Sequence, residues 1–165
     1  MRIAIVLKAD TREEIEVAAM ATQMLDQLVL RDWLASGHQL ASLADLGIYY
    51  EPEPRCEGDL DDRDTCAEER FLTLPEMLDN LKRGRGSDCD DIAPAHAALL
   101  VVTGRDEQAR AHVLEVGPRS WHVVVKRGDG SIDDPCRALG MGSQELEELH
   151  RPPHVHGVRR KRRVA

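Results

Sequence analysis

With 165 residues the chain has room for one domain with a sizeable core. Its net charge of −8 argues against a general nucleic-acid binder, and no apolar run approaches the roughly 18 residues of a membrane span. Aromatics are scarce (Trp33, Trp121, Tyr49, Tyr50, Phe71), so the core must be built from Leu, Val, Ile, Ala and Met.

The opening, "MRIAIVLKADTREE", has too few apolar residues for a signal peptide, so the expected location is the cytoplasm, and "RIAIVL" fits a short edge strand. A long helix is expected next. Thr11 followed by Glu14 is a capping-box pattern. Ile15, Ala18, Ala19, Met24, Leu25, Leu28 and Trp33 make a broad apolar stripe, and Gly37 is a stop. A short strand is expected around Ile48 to Tyr50.

Residues 51 to 70, "EPEPRCEGDLDDRDTCAEER", are acidic without apolar periodicity and are expected to form a surface loop. "DLDDRD" lacks the glycine and distal glutamate of a calcium loop, so no metal is expected there. Of the four cysteines (Cys56, Cys66, Cys89, Cys136), only Cys56 and Cys66 lie near enough in sequence to suggest a bridge, and a reducing compartment disfavours it.

"LTLPEMLDNLKRG" predicts a second helix, with Thr73 and Glu76 at capping-box spacing, Pro75 in the first turn and Gly84 past the end. "CDDIAPAHAALLVVTG" predicts a third, ending at Gly104. The period then changes. "RAHVLEV" and "SWHVVVK" have strand composition around a "GPR" turn, and the Asp-Gly turn of "RGDGSIDDP" leads to a further short strand. Helices first and antiparallel strands second define an α+β class. The last fifteen residues carry six Arg or Lys and no acid, leaving about −14 on residues 1 to 150. This basic tail is expected to be disordered, and either solvated or docked on an acidic partner or nucleic acid.

One constellation can carry chemistry. A cysteine nucleophile needs a setting that favours thiolate, an imidazole to exchange protons, and a group to orient that imidazole. Cys89 follows Gly84 and Gly86, and Ser87 or Asp88 can cap a helix whose first turn holds it, where the helix dipole lowers a thiol pKa. Asp88, Asp90 and Asp91 oppose that effect unless they point elsewhere; they are read as caps and surface groups, not metal ligands. His122, in "WHVVV", is the candidate base, facing away from Trp121 and Val123. His112 is a rival. His96 lies on the Cys89 face of the helix but about 10 Å along its axis. Asp133 and Asp134 point to opposite faces of an extended strand, so only one of them can orient the histidine.

This order resembles the transglutaminase-like cysteine peptidase superfamily. In that family a glycine-rich approach leads to Cys-Asp-Asp and an Ala/Leu-rich helix, then a His-bearing strand and an Asp-Pro. Here these are "GRGSDCDDIAPAHAALLVVTG", "SWHVVVK" and "IDDPCRALGM", within residues 40 to 142. The upstream "LGIYYEPEP" and "EERFLTLPEMLDNLKRG" resemble the approach segment of small versions carried by phages and prophages. The resemblance implies a papain/transglutaminase-like core and a catalytic triad of Cys89, His122 and Asp134, the aspartate directly before the proline. It implies a thiol protease or amidase that acts on a protein or peptide through a thioester, without a cofactor or metal, in a bacterial host or phage-like particle. A crosslinking acyltransferase and a non-catalytic adaptor that keeps the fold are the alternatives. Ser87-Asp88 stands where the family more often has Gly-Asp. Pro94 removes the amide that would bond the Asp90 carbonyl, which predicts a bend in the helix.

Overall fold

In a computed structural model, residues 5–7, 11–52, 69–117 and 120–142 are described. The expectations for Cys56 and Cys66, for a calcium loop in "DLDDRD", and for the basic tail fall outside them. Strand β1 (Ile5–Leu7) precedes helix α1 (Arg12–Ala35), and a 3-10 turn spans Ala44–Leu46. Strand β2 (Glu69–Phe71) leads to α2 (Leu74–Leu81) and α3 (Cys89–Val102). Strands β3 (Arg110–Gly117), β4 (Ser120–Lys126) and β5 (Ile132–Asp133) follow, then α4 (Pro135–Ala138). Among the described residues, four helices accompany a three-stranded antiparallel sheet in the order β3-β4-β5, and β1 pairs antiparallel with β2. The mixed helix-and-sheet class and the small antiparallel sheet follow the sequence reading, whereas β2 ahead of α2 and α4 after the sheet depart from a strict helices-first order. None of these helices is long and apolar enough to cross a membrane.

Helix α3 is the centre of the molecule. Ala93, Ala97 and Leu100 meet Ile15, Ala18 and Ala19 of α1 and Val113, Val123 and Val125 of the sheet. On its other flank Ile92, Ala95, Ala98 and Leu99 meet Leu30, Leu72, Leu74, Met77 and Cys136. Four alanines let neighbouring backbones approach α3 from both sides, which a chain so poor in aromatics needs. The helix runs unbroken through Pro94.

Helix α1 divides its apolar residues between two faces, unlike the single stripe expected. Ile15, Ala18, Ala19 and Leu30 are buried with three polar side chains, Thr22, Gln23 and Asp26, whereas Met24 and Leu28 are exposed. Thr22 donates to the Ala18 carbonyl one turn back at 3.0 Å, but Gln23 and Asp26 have partners that sequence spacing does not reveal. Gln23 accepts from the Ala111 amide and donates to the Ala109 carbonyl, both at 2.9 Å, and so pairs with the outer edge of β3. Asp26 Oδ1 accepts from the Leu74 amide at 2.7 Å.

The chain entering α2 is held by carboxylates from three helices. The Leu72 amide donates to Asp91 of α3 at 2.6 Å, the Thr73 amide to Glu76 of α2 at 3.1 Å, and the Leu74 amide to Asp26 of α1. Three orphan amides at a helix start are thereby satisfied in the interior. Two sequence expectations change here. Residues 69 and 70, at the end of the expected acidic loop, form β2 with Phe71, which is fully buried and pairs across to Ile5. The strand expected around Ile48 to Tyr50 is a single parallel bridge between Tyr50 and Ser87.

Candidate active site

Two contacts fix the approach to Cys89. The Ser87 amide donates to the Tyr49 carbonyl at 3.2 Å and the Glu51 amide to the Ser87 carbonyl at 2.9 Å. A Cβ on Gly86 would lie 2.5 Å from the Glu51 Cβ and 2.9 Å from the Tyr49 carbonyl oxygen, so this glycine is set by close backbone approach. Asp88 then takes an extended conformation as the N-cap residue, and Cys89 opens α3.

Cys89 is a free thiol, half-buried, packed against both flanks of the core. Burial pushes its pKa well above the usual thiol value; Asp88, Asp90 and Cys136 push the same way, and the Val123 backbone amide opposes them. The resting group is therefore a neutral thiol, despite its place at a helix N-terminus.

The adjoining acids differ from the caps and surface groups expected. Asp90 and Asp91 are buried, and Asp91 turns away to the Leu72 amide. Asp88 makes no side-chain capping bond, and its Oδ1 is buried without a hydrogen-bond partner. Carboxylate oxygens of all three lie within 4.8 Å of one another, near enough to share a cation, although one Asp91 oxygen is already engaged.

The other two expected site residues meet directly. His122 is 2% exposed, and its Nε2 lies 3.0 Å from Asp134 Oδ2. Asp134 is also the N-cap of α4: its Oδ1 accepts from the Cys136 amide at 3.2 Å, and Arg137 Nε lies 3.2 Å from Oδ2. Burial alone would raise its carboxyl pKa. The His122 hydrogen bond and charge, with Arg137 and the Cys136 amide, outweigh burial and hold it below the usual range. Aspartate as turn residue and aspartate as histidine partner are thus one arrangement. His122 Nδ1 is buried without a hydrogen-bond partner, so ring and thiol are not hydrogen-bonded here. What links them is β4 itself. The ladder with β5 covers only Val125 and Lys126, and the thiol lies against the Val123 amide, the next peptide group after His122.

Both rival histidines have other carboxylates. His96 Nε2 lies 3.2 Å from Asp133 Oδ2, which also accepts from Arg127 at 3.3 Å. His112 Nδ1 lies 3.2 Å from Glu16 of α1. Because Asp133 pairs with Val125, it faces α3; Asp134, one residue on, serves His122. Sequence reasoning passed over Arg137 and Cys136. The three-residue step from Asp134 to Arg137 in a helix start was the only available signal for the former.

No family model, curated protein or solved structure matches the chain.

Proposed function

We propose that the chain is a cysteine peptidase or amidase with a papain/transglutaminase-like core, acting on a protein or peptide carbonyl through Cys89, His122 and Asp134. The observation that carries this reading is the His122–Asp134 pair, with His122 buried and its Nδ1 unpartnered, on the strand whose Val123 amide lies against the thiol. A His122 Nε2–H donated to Asp134 leaves Nδ1 with a lone pair, the tautomer a general base needs. As Sγ attacks the carbonyl carbon, Nδ1 takes the thiol proton, and the α3 N-terminus stabilises the oxyanion through the Cys89 amide. His122 then returns its proton to the leaving amine, giving a thioester that water hydrolyses with His122 again as base. A lysine amine in place of water would give an amide crosslink. A phage-like particle as the setting rests on family resemblance alone.

One observation favours a second reading, a non-catalytic scaffold: the thiol is raised, not lowered, by its surroundings. Incubation with a p-nitrophenyl ester followed by intact-mass and peptide mapping separates the two. Acylation confined to Cys89 and abolished in His122→Gln supports the enzyme. Equal slow labelling of wild type and variant supports the scaffold. A parallel reaction with a lysine analogue detects crosslinking as amine incorporation.

A further inference from the structure

We infer that α1 carries a self-complementary surface through which two copies of the chain pair, helix against helix and antiparallel. The exposed face of α1 is apolar at its middle. Val17 is 68%, Met20 46%, Met24 66% and Leu28 62% exposed, far above what an ordinary surface helix shows at four successive turns of one face. A groove of about 400 Å³ runs beside Ala21, Met24, Leu25 and Leu28 and ends at Arg31.

The sequence of this face identifies its occupant. Glu13, Val17, Met20, Met24, Gln27 and Arg31 follow the alternating steps of four and three that form a coiled-coil seam. The acid stands at the N-terminal end of the seam, the base at the C-terminal end, and the methionines at the centre. When the helix is laid antiparallel on a second copy, Glu13 meets the other copy's Arg31, Val17 meets Gln27 and Met20 meets Met24. Both ends are then opposite in charge and the middle is apolar, and the same contacts repeat by the two-fold axis. A parallel pairing would instead set Glu13 against Glu13 and Arg31 against Arg31. Both end residues are exposed, so neither must leave the core to take part. The opposite face of α1 holds Ile15, Ala18, Ala19 and Leu30 against α3 and the sheet, so pairing leaves the interior untouched. A single helix pair is at the small end of stable interfaces, about 1,200 Å².

The test is a concentration series of the full chain by sedimentation equilibrium. The expected result is a rise from 18.4 kDa toward twice that mass between about 1 and 100 μM. Met24→Glu should weaken association at least tenfold while leaving the circular dichroism spectrum unchanged. Glu13→Arg and Arg31→Glu, each of which sets like charges together, should each weaken it, and the double variant carrying both should restore it. A monomer at every concentration overturns the inference, whether the chain's own C-terminal residues or a different protein cover the face. A dimer indifferent to Met24→Glu, or one not restored by the charge exchange, overturns it equally.

Discussion

Two histidine–aspartate pairs take their aspartates from the successive residues 133 and 134, and they differ in nearly everything but composition. His122 and Asp134 meet at 3.0 Å, with the histidine side chain 3% exposed. His96 and Asp133 meet at 3.2 Å with side chains 21% and 36% exposed, and Asp133 is shared with Arg127. For His96 burial lowers the pKa more than Asp133 raises it, with Arg127 and Arg105 adding to the lowering. The outer pair is thus one part of an ion network that includes Asp106, held 2.6 Å from Arg127. The inner pair leaves a ring nitrogen unpartnered beside a strand edge that meets a thiol. A histidine next to a carboxylate is therefore by itself no sign of catalysis; the two pairs differ in burial and in the buried, unpartnered Nδ1 of His122.

The largest expected effect is on the inner pair. His122→Gln should lower kcat/KM by about 10³, whereas His96→Gln should change it less than about twofold. Comparable losses in both variants would erase the distinction. Asp134→Asn should cost about 10² in the same measurement by disturbing the tautomer of His122, with KM little changed, while Asp133→Asn should affect thermal stability alone.

Asp26 sharpens the contrast by showing a buried carboxylate with no cation paired to it among the described residues. Burial pushes its pKa up to about 7, with the Leu74 amide opposing and Glu76 reinforcing the rise. Its folded value lies above the unfolded one, so its contribution is most favourable below pH 4 and is lost as pH rises through 7. Asp26→Asn, which keeps an oxygen for the Leu74 amide, should be neutral at pH 4 and stabilising at pH 8. The gain, read from urea unfolding, should reach up to about 4 kcal/mol. A difference that does not grow with pH would contradict this. A further effect is expected from Gly86→Ala. The Cβ would press on Glu51 and the Tyr49 carbonyl, costing about 1–3 kcal/mol in the same unfolding experiment.

Local signals carried much of the fold. The capping box of Thr11 and Glu14 is formed by both of its hydrogen bonds, and Glu76 reaches back to the Thr73 amide. Gly37, Gly84 and Gly104, expected as helix stops, all have positive φ just past their helices. The strands β3 and β4 are legible from their composition, and His122 faces away from Val123 as alternation requires. What escaped were features whose partners lie far along the chain. Strand β2 exists because Phe71 pairs with Ile5, a contact that an acidic window cannot announce. Gln23 and Asp26 are polar residues inside an apolar pattern, and their partners lie 88 and 48 residues away. Similarly, Asp91 resembles an exposed first-turn acid until Leu72 is placed beside it. Alternation alone left Asp133 and Asp134 open and the resemblance implied Asp134; pairing with Val125 fixes which face each one takes.

The central claim is that His122 activates Cys89 from a resting neutral thiol. Its most direct test is the rate at which iodoacetamide alkylates Cys89, followed by mass spectrometry from pH 5 to 10 in wild type, His122→Gln and His96→Gln. The expected wild-type rate at pH 7 exceeds that of a free small thiol. That excess should vanish in His122→Gln and persist in His96→Gln. A single rise above pH 9, the same in all three proteins, would contradict the claim.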